Sequence, residues 1–108
     1  MIYELRIYRA NPGRMAALQA RFRDHTCRLF EKHGMTNVGY WTTAIGGRND
    51  ELWYILGYED LAARQKAWDS FRQDPEWLEI FAETEKDGAT VHHLTTRILA
   101  PTDFSPLR

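Results

Sequence analysis

Cysteine is nearly absent from this 108-residue chain. Cys27 stands alone, which excludes an intramolecular disulfide framework and suits a reducing compartment. Long apolar runs are also missing. Ile2 opens an alternating pattern directly after Met1, with no charged leader and no apolar stretch behind it. The expectation is a cytoplasmic protein, neither exported by a signal peptide nor membrane-spanning. Lys and Arg form no block: 14 of them face 15 Asp and Glu, for a net charge of −1, so neither a nucleic-acid footprint nor a membrane partner is expected. No metal-ligand spacing and no cofactor signature is present. Gly46-Gly47 is too short and wrongly placed for a phosphate cradle, which needs a strand, a loop and a helix in succession.

Large rings are what the chain has in quantity: 4 Trp, 5 Tyr and 5 Phe. A chain of this length is one domain with a marginal surface-to-volume ratio. So much ring area exceeds what one small core hides, and the expected partner is a second copy of the chain.

Periodicity gives the elements. Ile2 to Arg9 alternates as a strand, Tyr3, Leu5 and Ile7 on one side and Ile2, Glu4, Arg6 and Tyr8 on the other. The apolar set is expected to face helices, and the mixed set to meet a partner. Asn11-Pro12-Gly13 turns into a helix over 14–32 with an inner stripe of Met15, Leu18, Phe22 and Leu29, Arg21 off it, and Gly34 ending it. A strand over 35–45, a Gly46-Gly47 hairpin loop and a strand over 51–58 follow. Leu61, Arg64, Trp68 and Phe71 form the inner stripe of a helix over 61–72. Asp74-Pro75-Glu76 stops it and starts another, Asp74 capping with its carboxylate and Pro75 taking the first helical position. A last strand covers 90–99. Residues 1–100 form the domain, and 101–108, with two prolines, read as an extended tail.

Strand, helix, strand, strand, helix, strand with right-handed crossovers is the ferredoxin-like α+β fold: a four-stranded antiparallel sheet with helices on one face. Two such sheets packed face to face would close a dimeric barrel. Glu4 and Arg6, two apart on one strand face, are then expected to pair across that interface.

Candidate chemistry is sparse. Arg64, inside an apolar stripe, needs a carboxylate, a ring or an anionic ligand; Glu59, Asp60 and Trp68 are the local partners. His92 and His93 are neighbours on a strand and face opposite sides, so they cannot share a metal. His92, or whichever of the two faces the helices, could exchange a proton with Tyr40 or Tyr54. The ordinary alternative for each His is a hydrogen-bonded structural role, and for His33 a helix-terminal one. Tyr40, Trp41, Trp53 and Tyr54 make the central hairpin aromatic. The expected pocket lies between Trp68, Tyr54 or Tyr40 and the first helix, with Arg64 on an anionic or enolic oxygen; solid packing there would remove it.

Four segments resemble the NIPSNAP family: Tyr3-Glu4-Leu5-Arg6-Ile7-Tyr8 followed by Asn11-Pro12-Gly13; Val38-Gly39-Tyr40-Trp41-Thr42-Thr43 with Ile45-Gly46; Tyr58 through Leu61 to Arg64, then Asp74-Pro75-Glu76-Trp77; and Pro101-Thr102-Asp103-Phe104-Ser105-Pro106-Leu107. The resemblance spans nearly the whole chain. It implies likeness to the dimeric α+β barrel proteins, which include small monooxygenases, isomerases and haem-degrading enzymes, and so fixes no reaction. By that analogy a homodimer could be a cofactor-free oxygenase or isomerase, or a non-catalytic ligand-binding or interaction scaffold. Many relatives place a His and a Trp where this chain has Tyr54 and Leu56, so a reaction resting on that His would be lost here.

Overall fold

A computed structural model describes residues 1–108. The elements run β1 (Ile2–Ala10), α1 (Met15–Arg21), a π-helical turn (Phe22–Thr26), α2 (Cys27–Lys32), β2 (Thr36–Thr42), β3 (Glu51–Tyr58), α3 (Leu61–Gln73), α4 (Pro75–Glu85) and β4 (Val91–Leu99). The sheet is antiparallel in the order β2-β3-β1-β4, with both crossovers on one face, as the alternation and chain order predict. The shortest extent of the whole chain is 19 Å, the thickness of one sheet and one helical layer.

Local chemistry sets the boundaries. The Asp60 carboxylate accepts the Ala63 N–H at 2.8 Å and starts α3. Asp74 accepts the Glu76 N–H at 2.9 Å and starts α4, with Pro75 in the first turn as expected. β2 stops at Thr42 and not at Ile45, because its ladder with β3 ends at Thr42 opposite Leu52. Ile45 lies in the loop, 96% exposed. The tail after Pro101 is tightened by a turn from the Ser105 N–H to the Thr102 carbonyl.

The π turn has no signature in the periodicity. Cys27 N–H reaches the Phe22 carbonyl, and the Thr26 hydroxyl donates to the Arg21 carbonyl at 3.3 Å. The widened turn sits where the first helical run enters the core. Its inward face carries Leu18, Arg21, Phe22, Thr26, Leu29 and Phe30, all buried. Arg21 therefore lies inside, against expectation. It follows Leu18 by three residues and shares its side of the helix, and partners from α4 meet its charge.

The facing of β1 is opposite to expectation. Glu4, Arg6 and Tyr8 point into the helical layer. Tyr3, Leu5 and Ile7 look out from the open face, which they share with Trp53, Ile55 and Leu99, their partners or partners' neighbours in register. Alternation defines two sets but does not say which goes inside. Here the charged set is inside because its own partners satisfy it, and Glu4 and Arg6 pair within one chain. Leu61, the first residue of α3, also departs from its expected inward place and is 60% exposed.

The core is a run of contacting rings, some edge-to-face and some stacked or tilted. Phe30 touches Phe22, Tyr54, Trp68 and Phe71 with centroids 5.0–6.2 Å apart. Phe30→Ala should cost about 3–5 kcal/mol, read by urea unfolding at neutral pH. A loss below about 1 kcal/mol would mean that this ring does not centre the core.

Candidate functional site

One carboxylate gathers most of the polar groups between sheet and helices. Glu4, wholly buried on β1, receives five donors. Arg64 Nε and Nη2 reach Oε1 and Oε2 at 3.0 and 2.9 Å as a fork. Tyr58 Oη donates at 2.8 Å, Arg6 Nη1 at 3.0 Å and Thr96 Oγ1 at 2.9 Å. The network continues outward: Arg6 Nε donates to Tyr54 Oη at 2.7 Å, Arg6 Nη2 to Tyr8 Oη at 2.9 Å, and Trp68 Nε1 to Tyr58 Oη at 2.8 Å. The Arg6 guanidinium also lies 4.5 Å from the Trp68 ring centroid. Burial alone would raise the Glu4 pKa. The Arg64 fork, Tyr58, Arg6 and Thr96 outweigh it and hold the carboxylate at about 2. The cluster is thus a locked anion and not a proton acceptor at neutral pH.

Beside the cluster a cleft of about 300 Å³ opens between the helices and β1–β4. Tyr8, Phe22, Phe30, Trp68, Phe71, Trp77, Phe81 and Leu94 line it, with the guanidiniums of Arg6, Arg21 and Arg72. The helices leave this part of the sheet uncovered: Leu94 and Phe81, at the mouth, are 43% and 42% exposed. Tyr8 Oη, on the cleft wall, accepts from Arg6.

The residues nominated from sequence divide. Arg64 does need a carboxylate, and finds Glu4 from the other end of the chain and not Glu59 or Asp60. Tyr54 is fully buried in the same network, and burial pushes its phenol well above the usual range. Tyr40 stacks on Tyr54 with centroids 5.1 Å apart, donates to Asn37, and is likewise raised by burial. His92 is exposed at the shift in the β1–β4 register, where His93 opposes Arg9 and Val91 opposes Ala10; no side chain hydrogen-bonds to it. Beside Tyr54 the expected space is filled by the Tyr40, Tyr54 and Phe22 rings, but between Trp68 and the first helical run it is open: Trp68 and, from that run, Arg21, Phe22, Thr26 and Phe30 line the cleft.

Tyr8, Arg21 and Arg72 carry no local signal. Tyr8 belonged to the set assigned outward, and two arginines on helices read as solvated charge. His33 bridges elsewhere: Nε2 lies 2.7 Å from Asp74 Oδ2 and Nδ1 2.6 Å from Ser70 Oγ. Asp74 also accepts from Lys32 at 2.8 Å and caps α4, so this row ties the end of α2 to the α3–α4 joint. No three His, Cys, Asp or Glu side chains converge on a metal-sized site.

The NIPSNAP family profile matches residues 3–106. Protein NipSnap homolog 3A of Homo sapiens is 31% identical over 75% of this chain, and Protein NipSnap of Drosophila melanogaster is 30% identical over 97%. The chain spans about a third of those proteins' lengths, 32% and 36%. A NIPSNAP family protein from Agrobacterium tumefaciens superposes with a TM-score of 0.86 at 30% identity, covering 99% of this chain and 98% of its own. A Nitrosomonas europaea protein, provisionally assigned as an antibiotic biosynthesis monooxygenase, shares the fold alone: TM-score 0.64, 11% identity, 94% of this chain and 98% of its own.

Glu4→Gln leaves two guanidiniums short of their anion and should destabilise by about 3 kcal/mol at neutral pH. Folding lowers the Glu4 pKa from 4.5 to about 2, so the unfolded chain binds the proton more readily. The carboxylate's contribution is complete above about pH 4.5 and drains away as pH falls towards 2. Urea unfolding of both proteins at pH 7 and pH 2.5 should show the gap between them shrinking in acid; a constant gap would contradict the locked anion.

Proposed function

The chain belongs to the NIPSNAP family, and we propose that it is a homodimer that binds a small, largely apolar molecule in the ring-lined cleft of each subunit. The cleft carries this reading. Its volume falls at the lower end of ligand pockets, its walls are mostly aromatic, and a few polar groups converge on it from one side. Tyr8 Oη and the guanidiniums supply orientation, and the rings supply the apolar contact.

Binding is favoured over catalysis by the state of the polar groups. Cofactor-free oxygenation or isomerisation needs a base against the ligand. Glu4 is held ionised by five donors and is enclosed, Arg64 is committed to it, and Tyr40 and Tyr54 are raised by burial. None of them can accept a proton from a molecule in the cleft near neutral pH.

The second copy is argued from the open sheet face. Trp41, Trp53 and Leu99 are 53%, 37% and 39% exposed there, beside half-buried Leu5, Ile7 and Ile55, with Arg9, Glu51 and Arg97 around them. An apolar centre with both charge signs at its rim suits an isologous contact, in which each copy's rim cation can meet the other's Glu51. The likeness of the fold to monooxygenase-type barrels supports the same arrangement.

Sedimentation should give a dimer at micromolar concentration, and Trp53→Glu should shift it to monomer with the fold intact by circular dichroism. A monomeric native chain would remove the twofold reading. For the cleft, calorimetric titration with naphthamide, a flat neutral probe, should show binding that Leu94→Trp, which fills the mouth, weakens at least tenfold. No binding, or binding indifferent to that substitution, would remove the ligand reading. Recovery of the probe or of any tighter metabolite unchanged after long incubation separates binding from turnover.

A further inference from the structure

We infer that the molecule taken by the cleft is a small planar acid, and that Arg21 receives its anionic oxygen, with Arg72 adding positive charge at the mouth. The inference rests on the ligand reading of the cleft and names the chemistry of its occupant.

The cations around the cleft differ in what they have left to give. A guanidinium carries five N–H donors and stays charged. Arg6 spends all three nitrogens on Tyr54, Glu4 and Tyr8, and Arg64 spends its fork on Glu4. Arg21 is only 4% exposed, yet Nη1 alone is engaged, with Thr84 Oγ1 at 3.1 Å and Glu85 Oε2 at 3.2 Å. Its Nε is buried without any partner. Such a donor costs stability unless something completes it. Its guanidinium lies 5.5 Å from the Trp77 ring centroid and 5.3 Å from that of Phe81, and both rings line the cleft.

Charge points the same way. Glu4 faces two arginines and Glu85 faces one, while Arg72 has no carboxylate within 4.0 Å and rests over the Trp68 ring at 5.1 Å. Three guanidiniums, those of Arg6, Arg21 and Arg72, thus line an aromatic cavity whose own walls hold no carboxylate, and an anion is what restores the balance. Burial works against the charge of Arg21, and Glu85 offsets only part of that penalty, so an incoming carboxylate gains a strong partner. The π turn starts at the next residue, and the Thr26 hydroxyl covers the Arg21 carbonyl there, also at the cleft wall. Single π turns inside helices recur at functional sites. Walls made of rings select a flat body, and the cavity's size selects a small one.

The test compares naphthoate with its neutral isostere naphthamide by calorimetric titration, counting only the binding that Leu94→Trp removes. The native protein should prefer the acid by about tenfold or more. Arg21→Met should abolish that preference while naphthamide affinity stays within about twofold. Arg21→Lys keeps the charge opposite Glu85 but loses the fork; it should retain the fold even if Met does not, and should cut the preference at least threefold. Arg72→Met, on an exposed residue, should reduce it by a smaller factor. Equal affinity for the two probes in the native protein, or a preference that survives Arg21→Lys and Arg21→Met, overturns the inference and leaves the ligand reading standing. Absence of cleft binding by both probes overturns the ligand reading itself.

Discussion

The buried Glu4 carboxylate is the constraint on which the two layers depend. It draws Arg64 down from α3, Tyr58 from β3, Thr96 from β4 and Arg6 from its own strand, so one anion fixes four elements relative to one another. Ring packing supplies most of the burial energy but tolerates sliding, since edge-to-face contacts are satisfied over a range of offsets. Five hydrogen bonds to two oxygens tolerate very little. The cluster therefore sets the height at which α3 rides above the sheet, and with it the width of the space beyond Trp68.

The fold was legible because each element carries its own local signal. Alternation in β1, the Asp74-Pro75 stop and start, and the glycine-rich hairpin loop are short-range features, and each of these elements is present, with β2 ending three residues early. The site was not legible, because its chemistry is made by contacts between distant positions. Arg64 and Glu4 lie sixty residues apart, and Thr96 and Glu4 ninety-two. The facing of β1 failed for a related reason. Period two separates Tyr3, Leu5 and Ile7 from Glu4, Arg6 and Tyr8, yet the choice between faces depends on whether the charges find partners inside, which is a property of the assembled layer. The pocket was expected between Trp68, Tyr54 or Tyr40 and the first helix; it opens on the Trp68 side of that space, while Tyr40 stacks on Tyr54 on the other. Arg21 was invisible because a helical arginine reads as solvated unless the opposing helix is known.

Family membership adds a frame and no reaction. The Agrobacterium tumefaciens relative shares the fold over 99% of the chain, and the curated relatives, matched over 75% and 97% of it, extend well beyond the match, which takes 32% and 36% of their own lengths. Functions of those longer proteins can reside in their other segments, whereas the cleft and the open sheet face belong to the part this chain possesses. Tyr54 illustrates how a member can be individual on a common frame. Its ring packs among Tyr8, Phe22, Phe30 and Tyr40, and its hydroxyl accepts from Arg6.

The Glu4 cluster also governs how the sequence can drift. Replacing any one of Glu4, Arg6 or Arg64 strands a charge in a nearly dry space, so single steps are disfavoured, while exchanging all three together for well-fitted apolar side chains removes the desolvation penalty along with the pairing. Related chains should accordingly keep or lose the trio as a block. A redesign that made the exchange would trade positional definition of α3 for a greasier and more permissive interior.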